Sequence, residues 1–299
     1  TEPFRGVFAM DFGTTNSCFA FRGGTSPASK HLQQAKSSDV IPSVVYFHDV
    51  SDPINPRCSI GTEAMFDIRE NSARTYAYLL SAKRYLGQDR TMIMLDPFGG
   101  TKPGHQQEWK IQEMVSFIIR ELLDRAEDEL GQIVGQIVAT FPPMFSADRK
   151  RALREALEKA LRDRGIDVDE NSIILDLDEA NAAAFHYIYT DLLEEFRKFQ
   201  VTEKEADLLA FDFGGGTIDI ALVGVKITRT GDGKIQIETE LKGLSGEETY
   251  GGDNVTLDLF RIAKWQGALV VAEKAHKAKE ELRKAEEKVD QADDDIWGA

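Results

Sequence analysis

The chain has 299 residues, 42% of them hydrophobic and 29% charged, with a formal net charge of −15. That balance is the one of a globular chain, and the negative charge disfavours nonspecific binding to nucleic acid or to an anionic membrane, which wants clustered Lys and Arg. No apolar run approaches the ~18 residues that span a bilayer, and the N-terminal "TEPFRGVFAM" has no signal-peptide pattern. In chain order, residues 5–12 and 17–23 read as two strands joined by a Gly-Thr-Thr-Asn turn, and "SVVYF", 43–47, as a third. Residues 61–80 read as a helix, followed by Lys83 in "SAKRYLG" and by a Pro- and Gly-rich loop at 96–107. Ile111, Met114, Val115, Ile118 and Leu122 fall on one face of a helix over 110–130. A strand at 132–141 ends at Pro142 and Pro143. A helix opens on a Ser146 cap and closes at Gly165, a strand follows at 172–177, and another helix starts near Asp178. This succession is one α/β layer with mixed strand directions.

At 206 the pattern restarts. Strands at 207–213, 217–227 and 234–242 repeat the opening meander, with Asp232-Gly233 as a hairpin signal. "GGDNVTLDLFRIAKW" then turns from glycines into a helix, and a separate long polar helix at about 269–290 finishes the chain. The second unit stops where the first goes on to alternate helix and strand. With no starting Met, the chain is read as a fragment or a processed product. Two cysteines, Cys18 and Cys58, fit a free-thiol chain, with Cys18 buried in a strand, and make a cytoplasmic location the default.

"AMDFGTTNSCFAF", 9–21, and "AFDFGGGTIDIALV", 210–223, carry the chemistry. Each puts an Asp at a strand end and glycine-rich backbone in the turn that follows. Glycine lets the main chain approach a ligand without a Cβ in the way, and successive N–H groups make an anion-binding concavity. An Asp beside phosphate repels it, but accepts hydrogen bonds from the waters on Mg²⁺, an ion that prefers carboxylates and phosphates and keeps several waters. Two such turns across a cleft would clamp a polyphosphate. Two plain hairpins are the bland alternative, which the duplication disfavours.

These segments resemble the two phosphate motifs of the actin, sugar-kinase and heat-shock-chaperone ATPase superfamily. Within it the chain is most similar to the heat shock protein 70 family, the DnaK type. "IPSVVYF", "SAKRYLG", "IVATFPPMFSADRKRALREA", "LDEANAAAFHY" and "YGGDNVTLDLF" follow in family order, so the resemblance covers about residues 5 to 262. It implies an α/β, actin-like ATPase fold of two ribonuclease-H-like lobes, 1–192 and 193–299, the second incomplete. It implies Mg²⁺-dependent hydrolysis of ATP to ADP and phosphate, used as a conformational switch and weak in a truncated chain. Asp11, Glu179 and Asp212 would surround Mg²⁺, mainly through water. Gly13, Thr14, Thr15, Asn16, Gly214, Gly215, Gly216, Gly251 and Gly252 would hold the nucleotide, with Thr217 beside the phosphates and Lys83 neutralising charge in the reaction. "HKAKEEL" resembles the helix that clamps the purine, through Lys279. A solvated helix with a thin apolar stripe at Val271, Ala275, Ala278, Leu282 and Val289 is the other reading of that stretch. Implied partners are a co-chaperone, a nucleotide-exchange factor and protein clients, reached through a C-terminal part that this chain lacks; nucleic acid and membrane are not among them. The family's allosteric proline matches Pro142, while its arginine partner falls on Lys150, between Arg149 and Arg151.

An actin-like filament-forming ATPase and a sugar or acid kinase are the rival readings. Asp-Phe-Gly also occurs in protein kinases, but no His-Arg-Asp loop or Val-Ala-Ile-Lys strand accompanies it, and there is no P-loop. "DVDENSIILDLD", 167–178, mimics a calcium loop, but Ser172 stands where Gly is needed and the last position, 178, is Asp. "FGGTKP", 98–103, resembles part of the family's adenosine motif and is read as a loop.

Overall fold

A computed structural model describes residues 3–23, 36–37, 40–71, 74, 76–95 and 106–297, with the backbone alone at 36–37 and 287–297. The described chain forms two compact units, Thr1–Gly252 and Asp253–Ala299.

In the first unit, β1 (Gly6–Phe12) and β2 (Asn16–Gly23) pair antiparallel, with Asp11 opposite Cys18. β3 (Lys36–Ser37) and β4 (Ile41–Pro42) both pair with β2. β5 (Val45–Asp49) is flanked by β6 (Arg57–Ile60) and, after helix α1 (Thr62–Glu70), by β7 (Tyr78–Leu79). The helix expected over 61–80 is therefore shorter. Asn71 leaves the helical region at φ −127°, its N–H closing on Asp67 O, and Tyr78 pairs with Tyr46 at the sheet edge. Lys83 lies on a short 3₁₀ turn, Ala82–Tyr85.

β8 (Thr91–Leu95) and β9 (Gln106–Lys110) form a hairpin that the sequence reading passed over. Most of the expected 96–107 loop, and "FGGTKP" with it, lies outside the described residues; 106–107 belong to β9. Trp109 explains the strand: it is buried and stacks on Phe47, with ring centroids 5.0 Å apart. α2 (Ile111–Leu130) follows, then β10 (Ile137–Phe141), α3 (Ala147–Asp163), β11 (Ile173–Asp178) and α4 (Glu179–Tyr187). β10 starts later than its apolar run: Ile133 makes an isolated bridge with Pro3, and Val134 N donates to Glu127 Oε1 (2.8 Å), before regular pairing begins at Ile137. Ser146 Oγ accepts from Arg149 N, as a cap should. A π turn, Ile188–Leu192, joins α4 to α5 (Leu193–Lys198).

The main sheet runs β11-β10-β1-β2-β3, with β1, β10 and β11 parallel. Alternation along β1 buries Phe8, Met10 and Phe12 against Ile118 and Leu122 of α2 and Leu153 and Leu157 of α3. The same period turns Asp11 to the other face.

β12 (Glu203–Phe213), β13 (Ile218–Arg229) and β14 (Ile235–Glu247) form an antiparallel meander, with Asp212 opposite Asp219. Gly233 takes φ +82° in the tight turn, as the Asp-Gly signal requires. One face packs Val223, Val225 and Ile227 against Ala180, Ala184 and Phe196. Leu209, Phe211 and Phe213 are exposed on the other face, and β12 is an edge strand among the described residues.

The second unit is one helix, α6 (Gly252–Trp297), where two were expected. Gly267 is tolerated inside it with nothing within 4 Å of where its Cβ would lie; a glycine in a helix interior costs about 1 kcal/mol without breaking it.

Candidate functional site

The duplicated motif folds into two matching hairpins. In the first, Gly13 N donates to Ser17 Oγ (3.2 Å), and Ser17 Oγ lies 2.7 Å from Ser43 Oγ. Ser43 N also reaches Thr15 O, 2.8 Å, which ties the turn to the chain before β5. In the second, Gly214 N donates to Thr217 O (3.0 Å), and Thr217 Oγ1 donates to Asp219 Oδ2 (3.0 Å). The turns touch. A Cβ on Gly216 would meet Thr14 Cγ2 at 2.5 Å and Thr14 Oγ1 at 2.7 Å, and one on Gly251 would meet Gly214 O at 2.7 Å. Glycine is needed at 216 and 251 for that close approach. Gly252 N donates to Gly214 O (2.9 Å), so the chain after β14 closes over the second turn.

Lys83 is 3% exposed and donates to Glu179 Oε1 in an ion pair. Glu179 opens α4 behind its cap Asp178, whose Oδ1 accepts Asn181 N at 2.9 Å. The positive end of the helix favours an acid there. Burial nevertheless pushes the Glu179 carboxyl up to about 7, with Asp11 and Asp219 adding to the rise and Lys83 opposing it. Burial works against the Lys83 ammonium, but the Glu179 and Asp11 carboxylates outweigh it and hold its pKa above the ordinary lysine value. Asp212 is raised by burial and by Asp11. Asp11 accepts from Thr140 Oγ1 at 3.3 Å.

Together, Asp11, Gly13, Thr14, Thr15, Asn16, Lys83, Glu179, Asp212, Gly214, Gly215 and Thr217 line a polar cavity of about 170 Å³. That is smaller than the ~300–1,000 Å³ of a typical ligand pocket and suits phosphate-sized groups. Among the described residues, no three His, Cys, Asp or Glu side chains converge enough to hold a metal ion directly. Three carboxylates on one small cavity fit a hard cation that keeps its own water.

A family model described as Hsp70 protein matches residues 7–292. The chain belongs to the Hsp70 family. The match takes in both hairpins, both acid-bearing strands and α4. Hsp70 proteins are nucleotide-binding ATPase chaperones, and the mixed α/β content suits the actin-like ATPase fold.

Three features of this Hsp70 chain escaped the sequence reading. Asp219 is buried at 2% exposure, and burial pushes its carboxyl up to about 6, with Asp212 adding to the rise. Its signal was register: it stands opposite Asp212, where the first hairpin has Cys18 opposite Asp11. Arg84 Nη2 donates to Gly215 O (3.1 Å), fastening the Lys83 turn to the second hairpin. Arg149, one residue before the Lys150 singled out beside Pro142, donates to Arg84 O (2.8 Å) and pairs with Glu248 at 3.0 Å. Lys150 instead sits over the Phe141 ring, 3.9 Å from its centroid.

Lys279 belongs to α6 and is exposed. Asp169, in the calcium-loop mimic, accepts from Asn171 N and Ser172 Oγ at 2.9 Å each and caps a turn. Cys18 and Cys58 are free and half-buried. No helix among the described residues is long and apolar enough to cross a membrane.

Proposed function

We propose that this chain is the ATP-binding, Mg²⁺-dependent ATP-hydrolysing domain of a DnaK-type chaperone, working as a conformational switch in the cytoplasm. The observation that carries the reading is the buried Lys83–Glu179 pair, set beside Asp11 and Asp212 between two glycine turns in contact. In this reading the backbone N–H groups of Thr14 to Asn16 and of Gly215 to Thr217 hold the phosphates, Gly13 and Gly214 shape the two turns through their own bonds to Ser17 Oγ and Thr217 O, and Gly251 and Gly252 keep the second turn closed. Asp11, Glu179 and Asp212 would hold Mg²⁺ through water, and the ion would neutralise phosphate charge when bound.

Water attacks the γ-phosphorus, the bond to the bridging oxygen breaks, and ADP leaves. Glu179 takes the proton from the attacking water; a carboxylate titrating near neutral pH suits that task. Lys83 moves its charge onto the γ-phosphoryl oxygens as negative charge shifts in the transition state. Thr217 positions Asp219 behind the phosphates. The lobes lie within 1–192 and 193–299, and a switch follows because the nucleotide bridges hairpins from both. A co-chaperone, an exchange factor and protein clients are the proposed partners.

Single-turnover hydrolysis of ATP with Mg²⁺ tests this. Glu179→Gln is expected to lose roughly a hundredfold or more in rate while it still binds ATP. An unchanged rate removes Glu179 from the mechanism, and a wild-type chain that binds no Mg²⁺–ATP overturns the reading.

A further inference from the structure

Arg149 stands where three segments meet. It lies in the first turn of α3, where Ser146 Oγ accepts its N–H at 3.3 Å. Its guanidinium covers the Phe145 ring, 4.7 Å from the centroid. Nη2 donates to Arg84 O (2.8 Å) and Nε to Leu86 O (3.4 Å), so one side chain spans the turn that carries Lys83. Gly87, just past that turn, packs on the α3 backbone, since a Cβ there would lie 2.8 Å from Arg149 Cα. Nη1 pairs with Glu248 Oε1 at 3.0 Å. A planar guanidinium, with donors along its edges, can hold such a set of oxygens at once.

Glu248 begins a short strap. It follows β14 and runs to Gly252, within the first compact unit. Thr249 N donates to Glu247 Oε1 (2.9 Å), which bends the chain. Gly252 N then donates to Gly214 O (2.9 Å), and a Cβ on Gly251 would meet Gly215 O at 2.7 Å. The strap therefore lies directly on the second glycine turn. Arg84 Nη2 reaches the same turn at Gly215 O (3.1 Å). Arg149 fastens both groups that hold this turn, the strap through Glu248 and Arg84 through its carbonyl.

We propose that Arg149 and Glu248 form a latch that keeps nucleotide in the cleft, a role that rests on the ATP-binding reading above. The first glycine turn, Lys83 and Arg149 precede α4 and α5 in the chain; the second glycine turn and Glu248 follow them. A nucleotide held by both turns leaves only when the turns part. Parting draws Gly215 away from Arg84 and the strap away from Arg149, so the Arg149–Glu248 pair breaks with the cleft. Lys83 has its own partner in Glu179, and Arg149 does not line the phosphate cavity. Arg149 is thus a positioning residue: losing it changes release and not the chemical step in a closed cleft.

Release of a fluorescent ADP analogue with Mg²⁺ from the full chain, followed by stopped flow, is the test. Arg149→Met is expected to speed release roughly tenfold, the effect of losing one charge-assisted contact, with the single-turnover hydrolysis rate at saturating ATP unchanged. Glu248→Gln is expected to speed release as well, and to add nothing in the Arg149→Met background, because both act through one contact. Hydrogen exchange on the nucleotide-free chain reads the latch without a ligand. There Arg149→Met is expected to speed exchange of the Gly252 N–H roughly tenfold and to leave the β10 amides as they are. Release that neither substitution speeds, additive effects of the two, or a fall in the single-turnover rate overturns the proposal. Faster exchange throughout β10 also overturns it, because Arg149 would then be a general prop of the fold. A Gly252 N–H that keeps its wild-type exchange rate in Arg149→Met means that there is no latch. A wild-type chain that binds no Mg²⁺–ADP overturns the ATP-binding reading and the release role with it, while exchange at Gly252 still decides whether Arg149 holds the strap.

Discussion

Gly216→Ala tests how tightly the two glycine turns are joined. A Cβ at 216 would lie 2.5 Å from Thr14 Cγ2, 2.7 Å from Thr14 Oγ1 and 2.8 Å from Arg84 Nε. Carbon atoms pack best at about 3.5–4.0 Å, so the new atom sits about 1 Å too deep. Thr14 is buried, at 6% exposure, and has little room to yield. Gly216 is not in the left-handed region, so alanine fits its backbone and the cost is steric. Overpacking of this kind costs about 1–3 kcal/mol, and the stiffer unfolded chain offsets about 0.4–1 kcal/mol. A net loss of about 1–2 kcal/mol is expected. With a urea slope of about 2–3 kcal/mol per molar, the midpoint falls by roughly 0.5 M. Gly135→Ala is the control, since nothing lies within 4 Å of its Cβ position. Thr14→Ala removes both of the nearest crowding atoms, so a double-mutant cycle should show a coupling of about 1 kcal/mol between 14 and 216. A Gly216→Ala protein as stable as Gly135→Ala, with no coupling to Thr14→Ala, refutes the contact between the turns.

Lys83→Ala leaves a buried carboxylate without its cation, a loss of about 3 kcal/mol at pH 8. Glu179 already titrates near 7, above the ordinary ~4.3, and rises further without Lys83. A raised carboxyl contributes stability that is whole below its unfolded pKa and is lost as pH climbs through the folded one. The Lys83→Ala protein should therefore be more stable at pH 5.5 than at pH 8 in urea titrations, and adding Glu179→Gln should remove most of that slope; a deficit that grows towards acid contradicts the assignment. Burial pushes the Cys58 thiol up to about 11, so its alkylation at pH 8 should be about a hundredfold slower in the native chain than in denaturant. Equal rates would mean that the thiol is not held in an apolar setting.

Much of the fold was legible because it follows from local periods. The alternation of β1, the single apolar face of α2 and the Ser146 cap of α3 are written in runs of a few residues, and each formed where those runs stand. The duplication was legible for the same reason: two strand–turn–strand units with an acid before the turn need no partner to be recognised. The elements that went astray owe their form to partners distant in the chain. β7 exists because Tyr78 reaches Tyr46, and β9 because Trp109 finds Phe47. α6 runs through Gly267 because a single glycine costs less than breaking a long helix.

The sequence by itself determined the residue types of the site, since phosphate-binding backbone wants glycine and a water-bound cation wants carboxylates. It could not determine their charge states. Only the tertiary structure brings Lys83 to Glu179 across 96 residues, and only that burial, next to Asp11 and Asp219, lifts Glu179 to about 7. It likewise sets Asp219 against Asp212 through strand register and lets Arg84 fasten one hairpin to the other's neighbour. Desolvation and Coulomb energy depend on distances in space, which sequence separation does not encode.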